Sequence, residues 1–223
     1  MAQRILFIGN SYTHCNELPR QLENLYRSAG AELSTQMITA GGASLQQHWN
    51  GKLARPLLKK GAWDFVVLQE QTRKPFESTA KYHDAVRKFD EEIRACSAKT
   101  VLYLTWAPGD EPERQSQLNE AISTIAREVK ALVAPSGPAF EIIRKEAPKI
   151  RLYVEDNRHP SPAGTYLSAC AFYGALTGRS PVGLAAKVFE GREPKAKELE
   201  LSKANAAVLQ KAAWRAVKES PFL

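Results

Sequence analysis

The chain has 223 residues, 43% hydrophobic and 25% charged, ordinary values for a globular protein long enough to bury a sizeable core. No apolar run approaches the length of a membrane span, and the net charge of +7 is spread along the chain without the interleaved aromatics of a nucleic-acid surface. Cys15, Cys96 and Cys170 are odd in number and widely spaced, so they form neither a disulfide framework nor a zinc pattern.

The first apolar run, Ile5-Leu6-Phe7-Ile8, has no polar alternation. That suits a strand covered on both faces, as in a parallel sheet. The opening MAQRILFIG leads straight into it with no charged, apolar, small-residue leader. The expectation is a cytoplasmic protein, or an exported one whose leader has been removed. The strand ends on Gly9-Asn10-Ser11, and Leu18, Leu22, Leu25 and Tyr26 then fall at helical spacing. Residues 33–39 read as a second strand ending at Gly41-Gly42, and 64–69 as a third ending in Glu70-Gln71. A helix over 78–96 places Val86, Phe89 and Ile93 on one face. A fourth strand over 100–107 is closed by Pro108-Gly109, and a helix follows over 112–130. The short apolar stretch 131–137 is a candidate fifth strand, with helical AFEIIRKEA behind it. After a polar loop, Ser161 is a good N-cap and Pro162 a good first residue for an apolar helix that ends at Gly178. The lysine-rich segment 195–219 reads as one solvated amphipathic helix.

This alternation predicts one α/β domain over residues 1–223, a three-layer α/β/α sandwich of flavodoxin-like type with about five parallel strands. Leu6, Ile8, Val66, Val67, Leu102 and Leu104 are expected inside the sheet. Ligands bind such sheets at the carboxyl ends of the strands. The loops there carry Ser11, then Gly41 and Gly42, then Gln69, Glu70 and Gln71, with Asp156 and His159 before the last apolar helix.

A serine nucleophile needs a base, a group to orient that base, and donors for the oxyanion. His159 is the best-placed histidine for Ser11, in a loop stiffened by Pro160 and Pro162. Asp156, three residues earlier, can meet the near imidazole nitrogen across a turn. His48 and His83 fall in helical patterns and read as packing or surface, whereas His14 is a candidate for the pocket lining. The amides of Ser11 and Gly42 are candidate oxyanion donors, and Gln71 or Gln69 can supply a side-chain amide. Each feature has a plainer reading as well: a helix cap at Asn10-Ser11, a turn at Gly41-Gly42, a turn at Asp156-Asn157. Cys15 is a rival nucleophile for which no base is better placed than for Ser11.

Taken in order, these blocks resemble the SGNH hydrolases, the GDSL-like lipase/esterase superfamily. The family's Gly-Asp-Ser reads Gly9-Asn10-Ser11 here, its second-block glycine matches Gly42, and its closing Asp-x-x-His matches Asp156-Asn157-Arg158-His159. GNSYT in place of Gly-Asp-Ser, with VVLQEQ and DNRHPSPAGTYL, looks like a bacterial branch of that superfamily. The third block departs from it. The family's Gly-x-Asn-Asp, whose asparagine donates to the oxyanion, is replaced by LQEQTRKP. Gln71 stands further past the strand end than Gln69 and is the preferred replacement. The resemblance implies a Ser11-His159-Asp156 triad, an acyl-enzyme, and an oxyanion hole from Ser11, Gly42 and Gln71, with no metal or organic cofactor.

The expected partner is a small-molecule or carbohydrate ester, a short-acyl ester on a sugar in the leading reading. No nucleic acid or membrane span is expected, and the oligomeric state is open. Trp49, Trp63 and Trp106 are candidates for a sugar-binding surface, with Trp106 best placed at the end of the fourth strand. The alternative is a degenerate or non-catalytic protein that binds acylated sugars or other small ligands on the same fold.

Overall fold

The apolar runs become the strands of one sheet. In the computed structural model, which describes residues 2–221, they are β1 (Gln3–Gly9), β2 (Leu33–Thr39), β3 (Phe65–Leu68), β4 (Lys99–Leu104) and β5 (Leu132–Pro135). Every pairing in this sheet is parallel, in the order β2-β1-β3-β4-β5. Between and after them run α1 (Ser11–His14), α2 (Leu18–Ser28), α3 (Leu45–Asn50), α4 (Ala54–Lys60), α5 (Lys74–Glu77) and α6 (Thr79–Ala95). The series ends with α7 (Gln115–Val129), α8 (Ser136–Glu146), α9 (Pro162–Thr177) and α10 (Lys203–Lys218).

Side chains alternate across a strand, so each strand feeds two cores. Ile5, Phe7, Val67, Val101 and Tyr103 pack with Leu22 of α2, Phe140 of α8, Phe172 of α9 and Leu209 of α10. Leu6, Ile8, Val66, Leu68, Leu102 and Leu104 pack on the other face with Leu45 of α3, Leu58 of α4, Phe89 of α6 and Ile122 of α7. The six strand residues expected inside are all buried. The result is the three-layer α/β/α architecture.

The chain leaves β1 for β2 on one side and returns to β3 on the other. The loops after β1 and β3 therefore adjoin at the point where the winding reverses, the usual binding crevice of such sheets. At the far end of the chain, Ser161 caps α9 by accepting the Gly164 N–H at 3.1 Å, and Gly178 ends that helix in the left-handed region at φ +66°. This fixes where the loop before α9, with Asp156 and His159, meets the sheet. Residues Gly164 to Ala175 are buried all round, because α10 covers the outer side of α9.

The carboxyl-terminal expectation is corrected. The helix α10 begins only at Lys203, and β6 (Lys187–Glu190) pairs antiparallel with β7 (Lys197–Glu200). Val188 and Phe189 are what hold the hairpin down. Both are buried, and the Arg20 guanidinium lies 4.2 Å from the centre of the Phe189 ring. Leu199 of β7 packs partly against the same core, while the lysines and glutamates face water and include a Lys187–Glu198 ion pair at 2.8 Å. Charge composition alone matched a helix, whereas burial of Val188 and Phe189 in the partner strand selects the hairpin.

Candidate active site

Gly9, Asn10 and Ser11 carry the chain from β1 into α1. Asn10 caps that turn: its Oδ1 accepts the Tyr12 N–H at 3.1 Å. The same oxygen accepts a Gln69 Nε2–H at 2.9 Å, and the Asn10 Nδ2 group donates to the Ala43 carbonyl at 3.0 Å. An aspartate has no donor for that carbonyl. Asparagine therefore lets one side chain tie together the loops after β1, β2 and β3. Gly9 is required by the same network, since a Cβ there would stand 2.5 Å from Gln69 Oε1 and 2.6 Å from Thr13 Oγ1.

The loop before α9 reaches Ser11 from 148 residues away in the chain. Asp156 Oδ1 accepts the N–H groups of Arg158 and His159, each at 2.9 Å, and Asn157 between them is left-handed at φ +55°. This tight turn folds the two side chains onto each other. His159 Nδ1–H donates to Asp156 Oδ2 at 2.5 Å, and Ser11 Oγ–H donates to His159 Nε2 at 2.9 Å. The proton sits on Nδ1 because an ionised carboxylate only accepts, which leaves Nε2 free to take the serine proton. Burial opposes ionisation of Asp156, but the bonds from His159 and the two backbone amides outweigh it and hold the carboxyl below its usual value.

Trp106 and Asn16 hold this loop from outside, and Val154 closes it on itself. Trp106 Nε1–H donates to the Arg158 carbonyl at 2.9 Å. Val154 N–H donates to the His159 carbonyl at 3.0 Å. Asn16 Nδ2 donates to the Pro160 carbonyl at 2.9 Å and to Thr165 Oγ1 at 3.0 Å. Sequence reasoning missed Asn16. It is buried and left-handed at φ 54°, and the available signal was a lone asparagine, a residue that tolerates positive φ, between two helical stretches.

A cavity of about 210 Å³ opens between the loops, walled by Ser11, Tyr12, Gly42, Gln71, Pro108 and His159, with Arg73 and Arg158 also on its lining. Wider clefts lie elsewhere, the two widest of about 510 and 650 Å³, one between Arg144 and Val154 and one between Phe76 and Gln117. Neither contains Ser11, and the histidine of the second, His83, has its Nε2 on the Ala121 carbonyl at 2.8 Å. Gly42 is left-handed at φ +66°, in a turn closed by Ala43 N–H to the Ala40 carbonyl at 3.1 Å. The N–H groups of Ser11 and Gly42 have no protein acceptor among the described residues.

The two glutamines have different surroundings. Gln69 is fully buried and its amide is spent inside the protein. Its Oε1 accepts the Asn10 N–H at 2.7 Å and the Thr13 hydroxyl at 3.0 Å, and its Nε2 donates to Asn10 Oδ1 and to the Glu70 carbonyl at 2.6 Å. Gln71 lines the cavity. Its Oε1 accepts the Arg73 N–H at 3.1 Å, and its Nε2 has no protein acceptor among the described residues.

Several expectations about the lining are corrected. Trp106 does not line the cavity: it is fully buried, stacked between Phe140 at 4.1 Å and Tyr12 at 4.8 Å. Tyr12 in turn meets the His159 ring edge to face at 5.6 Å, so Trp106 supports the histidine loop instead of touching substrate. Trp63 is buried beneath Arg4, and Trp49 packs on Phe89. His14 is buried as well, its Nδ1 2.9 Å from Thr39 Oγ1, and it is not on the cavity wall. Burial, then the charges of Arg192 and His159, lower its pKa to about 4. Burial also holds the Cys15 thiol above its usual value, which leaves little thiolate for nucleophilic attack. Among the described residues no cluster of three or more His, Cys, Asp or Glu side chains is placed to hold a metal ion.

A carboxylate, an imidazole and a serine hydroxyl joined by hydrogen bonds, above a parallel sheet of this strand order, form the arrangement that serine-hydrolase chemistry requires on an α/β/α fold. A Slackia heliotrinireducens protein assigned to the SGNH hydrolases is 31% identical, with a TM-score of 0.69, over 79% of this chain and 100% of its own. The chain belongs to the SGNH hydrolases. A DUF4886 family protein from Bacteroides uniformis shares the fold over 100% of this chain and 97% of its own, at 18% identity and a TM-score of 0.78. Axe2, an acetylxylan esterase from Geobacillus stearothermophilus, shares it over 78% of this chain and 94% of its own, at 18% identity and a TM-score of 0.62. No protein-family model matches the chain, and comparison with curated proteins finds no match.

Proposed function

We propose that the chain is a serine esterase, a single domain over residues 1–223, that removes short acyl groups, acetyl foremost, from carbohydrate esters. The observation that carries the reading is the hydrogen-bonded line Asp156–His159–Ser11 at the wall of the 210 Å³ cavity. In this mechanism Ser11 Oγ attacks the ester carbonyl while His159 Nε2 takes its proton. Asp156 keeps the imidazole in the right tautomer and stabilises the imidazolium. The oxyanion is met by the Ser11 and Gly42 amides and by the free Nε2 of Gln71. His159 then returns its proton to the leaving alkoxide, and water activated by the same base releases the acid. No step calls for a metal or an organic cofactor.

The small cavity favours an acetyl or similarly short acyl group. The sugar part follows the acetylxylan esterase of like fold. Steady-state kinetics on p-nitrophenyl esters from acetate to octanoate, followed by acetylated xylo-oligosaccharides, test it. The highest kcat/KM is expected at the shortest chains. Preference for octanoate would overturn the short-acyl reading. Binding of acetylated sugars without turnover of any ester would favour the non-catalytic alternative.

A further inference from the structure

The mechanism gives no task to Glu70, which stands between the two glutamines in the block where this chain departs from its family. Its side chain is buried, 6% exposed, at the edge of the site. One carboxylate oxygen accepts the Gln71 N–H at 2.7 Å, and both oxygens lie 3.3 Å from the Leu45 N–H. Leu45 follows Gly42 by three residues and opens α3, where the loop after β2 ends. Gln71 is on the loop after β3. A single carboxylate therefore bridges the two loops that hold the second and third oxyanion donors. No other side chain among the described residues accepts hydrogen bonds from the backbone of both loops.

We infer that Glu70 is a positioning residue of the oxyanion hole, whose ionised carboxylate clamps the Gly42 loop to the Gln71 loop and so sets the separation of their donors. The inference rests on the esterase reading above. An ionised carboxylate suits the task because both oxygens accept and neither donates. A glutamine at 70 would turn an NH₂ group toward one of these N–H donors. An acyl-transfer site is sensitive to such spacing, since a displacement of about 1 Å in a reacting geometry costs about 100-fold.

The surroundings make the clamp responsive to pH. Burial pushes the Glu70 carboxyl up to about 7, against the pull of the Gln71 and Leu45 amides and of Lys74 on α5. The charged and titratable groups that face it are Lys74 and, from α6, the fully buried Tyr82. The ionised form is the acceptor, so the clamp forms as pH rises through about 7 and is lost below it. Stability runs the other way. A carboxyl whose folded pKa is raised favours the folded state while protonated, and that contribution fades as pH rises through the folded value. Glu70→Gln is therefore expected to keep its thermal midpoint at alkaline pH while losing turnover.

The test compares wild-type protein and Glu70→Gln on p-nitrophenyl acetate across pH, with thermal unfolding alongside. The expected result is a kcat lower by about 10- to 100-fold in the variant at alkaline pH, with KM little moved. The wild-type acid limb should contain a step near 7 that the variant lacks. Equal kcat in the two proteins at every pH overturns the clamp and leaves the esterase reading standing. If wild type turns over no ester, the esterase reading falls instead, and the clamp is judged by a readout that needs neither activity nor a variant. The amide resonances of Leu45 and Gln71 in wild-type protein should titrate together with a common midpoint near 7. Absent or unrelated shifts overturn it.

Discussion

Truncating the two glutamines of the third loop one at a time should separate a structural amide from one that acts on the reaction. Gln69→Ala removes four hydrogen bonds from a site with no exposure. Counting only the Asn10 N–H and the Glu70 carbonyl as stranded, at about 1–3 kcal/mol each, the loss is roughly 2–6 kcal/mol. In a chain of this size each kcal/mol moves the midpoint by roughly 2–4 °C, so Tm should fall on the order of 10 °C. Gln71→Ala removes one half-exposed bond to the Arg73 N–H and should cost no more than about 1 kcal/mol. Its effect belongs in kcat, where loss of one oxyanion donor costs ~10²–10³ with KM nearly unchanged. Thermal unfolding and steady-state kinetics on the same preparations read both. A Gln69→Ala protein with wild-type Tm, or a Gln71→Ala protein with wild-type kcat, would refute the division of labour.

Restoring the family's aspartate is expected to harm this chain. Asn10→Asp loses the donor to the Ala43 carbonyl and should lower stability by about 1–3 kcal/mol, read by chemical denaturation. His159→Ala should lower kcat by several orders of magnitude with little change in folding, and Asp156→Asn should cost less, because that carboxylate orients and stabilises without transferring a proton. Since the Asp156 carboxyl lies below its usual value, its hold on the loop is complete at neutral pH and is lost only as pH falls through that lowered pKa. The chemical shifts of His159 should report the release.

The sheet was legible because β1 and β3 carry unalternated apolar runs, and β2, mixed and half-buried at the sheet edge, still spans the predicted residues Leu33–Thr39. The loop positions of Ser11, Gly42, Asp156 and His159 followed from those strands and from Ser161-Pro162 at the start of α9. What escaped were pairings between distant segments. Nothing local in KELE distinguishes β7 from a helix; the decision is made by the burial of Val188 and Phe189 in its partner strand. Trp106 at a strand end reads equally well as a sugar platform or a packed ring, and only its stack with Phe140 and Tyr12 decides. Likewise the roles of Asn10, Gln69 and Glu70 lie in hydrogen bonds to residues 25 to 59 positions away, which no periodicity carries.

The claim on which the rest depends is that Ser11 is the nucleophile. A fluorophosphonate reagent on the intact chain, followed by mass mapping of the adduct, tests it directly. A single adduct on Ser11 itself, absent from both Ser11→Ala and His159→Ala, is the predicted result. Equal labelling of wild type and Ser11→Ala, or an adduct mapped to Cys15, would contradict it.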